Sequence, residues 1–480
     1  MSIYLLVDFG STYTKIIAVD LEKEIILGRA QAYTTVDTDI TIGLNNALVN
    51  LFNTCELNEK EIQGKYASSS AAGGLKMAAI GLVPELTLEA ARRAALGAGA
   101  KVICAYGFEI NEEIIQEIEA AKCDIVLLTG GTDGGDKNVI IHNAKQLANS
   151  NVSCPILVAG NRVAANDIKS ILEKGDKQFY TAKNVLPNLE TVEVEPAQKL
   201  IRDIFIAHIV KAKGLEKAQD YIGKAIMPTP KATLQAAALL ADGHGDEPGI
   251  GSLVIVEIGG ATTNIHSVLD SLPATPQTIL KGLPELRIKR TVEGDLGIRY
   301  NAPTIYNFVG GDKFLHKWLT LNPMTNKAEM EIDKHIRNLS VNVGYVPSTK
   351  SEFDLDIALA ECATSIAVER HAGTIRQEYS VMGEKVMVQN GKNLLETKNI
   401  IGTGGIFKYG LHPERILRAA LYNPETPWSL KPENPKAYID YDYVLYGIGL
   451  LAEDFPVQAL RIAKKYLKAA IMGRGMNHDA

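Results

Sequence analysis

Two stretches in opposite halves of this chain share one layout. Each has a short apolar strand that ends near an acid, a loop rich in glycine and threonine, and a second apolar strand. The first runs Ile3 to Val7, then Asp8-Phe9-Gly10-Ser11-Thr12-Tyr13-Thr14-Lys15, then Ile16 to Val19. The second runs Leu253 to Ile258 with Glu257 near its end, then Gly259-Gly260-Ala261-Thr262-Thr263-Asn264, then Ile265 to Leu269. Apolar runs flanking a glycine-containing loop read as β-hairpins. Their recurrence predicts two related halves, each opening with a hairpin.

The intervening sequence supplies the rest of the plan. Ile25 to Tyr33 reads as a third strand and Ile40 to Thr54 as a helix. From Thr87 helix and strand alternate: Leu88–Gly97, Asn111–Ala121 and Asn143–Asn149 as helices, with strands Lys101–Tyr106, Asp124–Leu128 and Cys154–Ala159. Such alternation predicts parallel βαβ units, a flavodoxin-like module. Arg202–Lys213 and Lys231–Ala241 read as helices, and the Gly, Asp and Pro of 242–249 as a linker. Pro323 to Thr349 is polar and reads as irregular, and Asp354 to Arg376 as one long helix. Tyr443 to Lys468 reads as helix broken near Pro456, with a disordered tail from Gly473. The expected division is 1–86 for the first part of domain I, 87–200 for the α/β module and 201–250 for the remainder of domain I. Domain II then occupies 251–480, with a polar insertion near 311–350.

Charge and cysteine usage narrow the partners. A net charge of −6 argues against a nucleic-acid or anionic-membrane surface, both of which need a basic face. No apolar run reaches bilayer-spanning length. The start lacks a signal-peptide pattern. Five scattered cysteines without a CxxC pair fit reduced thiols in a cytoplasm and give no zinc motif. Small molecules and protein partners remain.

The loops carry the chemistry. Backbone N–H groups in a Gly/Ser/Thr turn cradle phosphate oxygens. A carboxylate at a strand end orients hydrated Mg²⁺, which takes few protein ligands. Asp8 stands at such a place, with Gly10, Ser11, Thr12 and Lys15 as phosphate contacts; a plain β-turn explains this loop alone equally well. Glu257 repeats the layout with Gly259, Gly260, Thr262 and Thr263. A third loop, Gly402-Thr403-Gly404-Gly405, offers glycines against which an adenine or ribose can lie.

Together these segments resemble the actin/sugar-kinase/heat-shock-chaperone ATPase superfamily. Asp8–Lys15 is similar to its phosphate-1 motif, Glu257–Asn264 to phosphate-2 and Ile401–Ile406 to the adenosine motif. Ala236–Gly243 and Tyr446–Ala452 resemble its two connecting helices. The resemblance implies an α/β, actin-like (ribonuclease H-like) two-domain ATPase fold that binds ATP and Mg²⁺ in a cleft. It places Asp8 and Glu257 at the metal and assigns Asp8, Glu257 and Lys15 to catalysis. Gly402, Gly404 and Gly405 would lie at the nucleoside. Two departures stand out: Glu257 where the motif usually has Asp, and Asn264 where many members carry a second acid. An amide takes no proton from water, so turnover is expected to be slow. His266 is a candidate substitute base or a half-buried structural histidine.

A narrower resemblance covers Leu127–Gly135, Arg290–Gly297 and Val368–Gly373, which look like the glutamate-mutase-associated MutL (GlmL) family, distinct from the mismatch-repair protein of similar name. That family accompanies adenosylcobalamin-dependent aminomutases such as glutamate mutase and ornithine aminomutase. The resemblance implies a chaperone-like, ATP-dependent reactivating factor with the aminomutase subunits as partner. A small-molecule kinase, with the loop after Ala67-Ser68-Ser69-Ser70 lining its substrate pocket, is an alternative, and a non-hydrolysing scaffold is another. The Gly130–Gly135 loop reads as an anion site with Asp133 and Asp136, or as a tight strand-to-helix connection. Glu293 and Asp295 read as a segment near the nucleotide, or Asp295 as a helix N-cap. The α/β module lacks the Asp-x-His-x-x-Gly cobalt-ligating signature and is expected not to bind cobalamin tightly.

Overall fold

The strand Ile3–Phe9 (β1) is buried on both faces, as its near-continuous apolar run requires of a central strand. In this computed structural model, residues 2–10, 13–35, 38–70, 75–205, 216–321, 328–380 and 383–472 are described. Ser11, Thr12, the end of the expected 202–213 helix and the tail from Gly473 lie outside them. The chain divides into two units. One comprises Met1–Ala236, Gly282–Pro284 and Tyr446–Ala459; the other comprises Ala237–Lys281, Glu285–Leu445 and Leu460–Ala480.

In the first unit β1 pairs antiparallel with Tyr13–Asp20 (β2), which pairs antiparallel with Ile25–Tyr33 (β3). The helix Ile40–Cys55 follows, its first turn capped by the Asp39 side chain accepting from the Thr41 N–H. Leu44, Ala47, Leu48 and Leu51 form its buried stripe, and Ile62–Ser69 (β4) then returns parallel to β1. A second sheet follows. Lys76–Ile80 (β5), Lys101–Tyr106 (β6), Ile125–Leu128 (β7), Ile156–Val158 (β8) and Phe179–Thr181 (β9) run parallel in the order β6-β5-β7-β8-β9. Its strands bury Ile80, Val126, Leu128 and Ile156 in one core with Ile118, Ile140, Leu147 and Leu172 of the intervening helices. The alternation expected from Thr87 supplies β6, β7 and β8 of this sheet, whereas β5, which joins β6 to β7, precedes the expected start at 87, and β9 was not foreseen. Met227–Pro228 (β10) then completes the first sheet beside β4, in the order β10-β4-β1-β2-β3. Tyr446, from a segment near the far end of the chain, also belongs to this unit; its hydroxyl donates to the Leu6 carbonyl at 3.1 Å.

The expected linker is instead a two-stranded ribbon, Gly243–His244 (β11) with Glu247–Pro248 (β12). Gly243 sits at φ 79°, in the left-handed region that glycine adopts without strain. In the second unit Leu253–Ile258 (β13) pairs antiparallel with Thr263–Val268 (β14). Thr278–Lys281 (β15) lies in a separate small sheet, and Ile288–Glu293 (β16) pairs antiparallel with β14. Thr374–Tyr379 (β17) and Lys385–Asn390 (β18) complete the small sheet. Asn399–Thr403 (β19) runs parallel to β13, Lys436–Ile439 (β20) parallel to β19, and Lys468–Ala470 (β21) antiparallel to β20. The order is β16-β14-β13-β19-β20-β21. Both units therefore hold an antiparallel three-strand meander whose first strand is extended by two parallel strands. That duplicated order is the actin-like, ribonuclease H-like α/β fold.

Two expectations are corrected. The long helix spans Lys350–His371, started by a Thr349/Glu352 capping box, and residues Thr374–Tyr379 are β17. Pairing with β18 outweighs the helical pattern there. Within the segment read as irregular, Ala328–Val341 is a helix. Its Ile332, Ile336 and Leu339 recur at helical spacing and are buried, a period masked in the sequence by the charged residues between them.

Candidate functional site

Asp8, next to last in β1, is 1% exposed. Register sets its neighbours: Lys15 of β2 lies opposite on one side and Ser68 of β4 on the other. The Ser68 hydroxyl donates to Asp8 Oδ1 at 3.1 Å, and the Thr229 hydroxyl donates to the same oxygen at 2.6 Å. Thr229 opens the helix Thr229–Asp242 directly after β10, and Pro230 follows it, a residue preorganised for a helix start. Gly10 closes the turn by donating its N–H to the Tyr13 carbonyl at 3.1 Å. A Cβ there would stand 2.6 Å from that same oxygen, so the tight turn requires glycine. Lys15 is half-buried. The sequence pointed to Asp8, Gly10 and Lys15; it gave no signal for Thr229, which β10 brings in from far along the chain.

The second unit repeats the theme with more machinery. Glu257, near the end of β13, lies opposite Asn264 in β14, and His266 lies opposite Arg290 in β16. Alternation along the strands puts all four side chains on one face, while Val256, Ile258 and Ile265 point the other way into the core. Asn264 Nδ2 donates to Glu257 Oε2 at 3.0 Å, and His266 Nε2 stands 3.1 Å from the same oxygen. Arg290 Nη2 donates to Asn264 Oδ1 at 3.4 Å. His266 is fully buried, deeper than the half-buried histidine expected from the sequence.

Burial raises the Glu257 carboxyl, but the His266 hydrogen bond, the Arg290 charge and the Asn264 amide outweigh it and hold the group below its ordinary range. Burial, helped by the Arg290 charge, lowers His266 and outweighs the pull of Glu257. Burial thus favours the neutral imidazole. Its Nε2 carries the proton given to Glu257, a tautomer assigned from this contact. Arg290 is itself brought down to about 10 by burial, against the opposing pull of Glu257.

The glycine loop after β13 is pinned from below. Gly260 O accepts from the Arg299 and Tyr300 N–H groups, both at 3.0 Å, and Arg299 forms a two-pronged pair with Asp356 at 2.9 and 2.6 Å. Gly259 is exposed, and Gly260 and Thr262 are partly so. The Thr263 hydroxyl is committed to the Leu296 carbonyl at 2.7 Å. The third loop lies beside the second, because Thr403 is the parallel partner of Glu257. A Cβ on Gly404, at φ 116°, would fall on the Ile258 carbonyl, and one on Gly402 would fall on the Phe407 ring. Packing thus explains these two glycines. Gly405 is exposed and faces open space. Thr403 Oγ1 donates to the buried Asp440 at 2.9 Å, a residue that the motif reading missed.

The remaining loops resolve simply. Gly130–Gly135 connects a strand to a helix and is stapled by Asn161, which accepts from Gly134 N–H and donates to the Gly135 and Asp136 carbonyls. Asn184 Nδ2 donates to Asp133 Oδ1 and the Gly131 carbonyl, both at 3.0 Å. This is the tight connection. Asp295 caps no helix; with Glu293 it pairs with Arg370. Among the described residues no group of three or more His, Cys, Asp or Glu forms a metal cluster. No helix among them is long and apolar enough to cross a membrane.

The chain is similar to several known proteins. The activator of 2-hydroxyisocaproyl-CoA dehydratase from Clostridium difficile, with bound ADPNP, aligns with a TM-score of 0.32 and 9% identity, covering 96% of each chain. Xylulose kinase from Lactobacillus acidophilus aligns with a TM-score of 0.35 and 12% identity over 98% of this chain and 93% of that one. The repeated sheet order, rather than these superpositions, carries the fold. Protein MutL of Clostridium tetanomorphum is 47% identical over 467 residues, 97% of this chain and 99% of that protein. Residues 4–467 match the MutL protein family, and the chain belongs to that family.

Proposed function

We propose that this chain binds ATP with Mg²⁺, hydrolyses it slowly, and acts in the cytoplasm as a chaperone-like reactivating factor for an adenosylcobalamin-dependent aminomutase. The observation that carries the nucleotide reading is the repeated buried carboxylate. Each unit carries one at the next-to-last position of its meander's first strand, Asp8 or Glu257, ahead of a glycine turn. Carboxylate oxygens suit Mg²⁺, which keeps several waters and needs only one or two protein carboxylates, so the donor set fits without a three-residue cluster. Asp8 and Glu257 would hold it. Lys15, Gly10, Ser11, Thr12, Gly259, Gly260 and Thr262 would face phosphates, and Gly405 the nucleoside. Bound Mg²⁺ would neutralise charge on the transferred phosphoryl group.

The chain's own residues favour slow turnover. The Asn264 amide cannot accept a proton from water, and the His266 proton is committed to Glu257. The work is then a difference in partner affinity between nucleotide states. Membership of the MutL family supports the mutase as partner. The same Asn264 favours a second reading, a scaffold that binds ATP without hydrolysing it.

Phosphate release from MgATP, with and without a cobalamin-inactivated glutamate or ornithine mutase, tests this. Partner-stimulated release that disappears in Asp8→Ala is expected. Saturable ATP binding without release supports the scaffold, and absence of both refutes the nucleotide reading.

A further inference from the structure

Four polar side chains share one buried face of the second unit's sheet, and their donors converge. Asn264 Nδ2 and His266 Nε2 approach the same carboxylate oxygen, Glu257 Oε2, at 3.0 and 3.1 Å. Neither donates to Oε1. The Glu257 side chain keeps 12% of its surface exposed, whereas His266 is wholly buried. The acid is therefore gripped from the sheet side and keeps only a small exposed edge.

The imidazole is placed at a cost. With Nε2 turned to Glu257, Nδ1 is buried without a hydrogen-bond partner. An unsatisfied buried polar atom costs about 1–3 kcal/mol. Arg290 completes the arrangement by donating to Asn264 Oδ1, which fixes the amide with its NH₂ towards the acid.

We infer that Asn264 and His266 are positioning residues that clamp Oε2 of Glu257, so that this glutamate presents a single oxygen, Oε1, to a hydrated divalent cation beside the phosphates. Glutamate has one more rotatable bond than aspartate, and the clamp removes the freedom that the extra methylene brings. The inference rests on the nucleotide reading above.

The test is binding of ADP to the full chain with and without Mn²⁺, followed by calorimetry and by the electron paramagnetic resonance signal of Mn²⁺. In the native chain Mn²⁺ should strengthen ADP binding. His266→Phe removes the donor and should cut that Mn²⁺-dependent gain about tenfold, as expected for a lost charge-assisted hydrogen bond, while metal-free ADP affinity stays unchanged. His266→Gln, whose amide still reaches Oε2, should restore most of the gain. Asn264→Leu, similar in volume, gives a second reading of the clamp if the phenylalanine variant fails to fold. Equal loss of metal-free and metal-dependent affinity in these variants, or no loss in any, overturns the clamp. Failure of the native chain to bind ADP at all overturns the nucleotide reading on which it rests.

Discussion

Lys392 is a residue that neither loop motif touches, yet it carries a large electrostatic load. It is fully buried, and its Nζ donates to the Leu286 and Arg287 carbonyls at 2.8 and 2.7 Å. Burial, with the nearby Lys289 charge, pulls it from 10.5 to about 7. Because the folded value is lowered, between about pH 7 and 10.5 the unfolded chain binds a proton that the folded chain does not. Stability should therefore rise with pH across that window, by up to about 5 kcal/mol, and the Lys392→Met variant should lose the rise. Urea midpoints at several pH values would show it. At this scale the sequence revealed Asp8 and Glu257, because an acid at a strand end before a glycine turn is a local pattern. Thr229 and Ser68 were hidden, since their approach to Asp8 depends on β10 and β4 pairing across long separations. Arg290 was hidden for the same reason, reaching Asn264 only through the β14–β16 register.

Elements explain why the glycine loops tolerate so little change. The Gly404 position at φ 116° faces the Ile258 carbonyl, whereas Gly405 starts a short helix in open space. Gly404→Ala should destabilise the second unit by about 2 kcal/mol or more and weaken any ligand of that loop. Gly405→Ala should leave stability within about 1 kcal/mol of the native chain or raise it. Thermal unfolding of the pair separates a packing glycine from a permissive one. The sequence marked this loop as glycine-rich, but the reasons for Gly402 and Gly404 lie in the facing Phe407 ring and β13. The helix Ala328–Val341 was missed for a different reason: its apolar positions are few and flanked by charge, and burial alone makes them a stripe.

For the whole molecule, the duplicated hairpin was legible and the duplicated sheet followed from it, because a three-strand meander leaves β1 and β13 each with an edge that later strands fill. The parallel module was legible from its alternation. What the sequence hid were the small sheet of β15, β17 and β18 and the ribbon of β11 and β12, short strands whose stability is tertiary. If MgATP binds only the folded chain, saturation at 100 times its Kd should add about 2.7 kcal/mol to unfolding. Asp8→Ala should remove that increment in denaturant titrations with ligand present.

Tyr446 and the residues after it have one further consequence, for the order in which the protein is made. A Cβ on Gly447 would press against the Leu6 side chain at 2.7 Å, so this late segment is fitted closely to the first strand of the chain. A ribosome delivers β1 to β10 long before Tyr446 leaves the exit tunnel. The nascent first unit must therefore wait with the Leu6 surface uncovered until the Tyr446 segment has been made. A fragment ending at Ala236 would keep that exposed seam permanently. A segment made late thus completes a unit whose strands are made early.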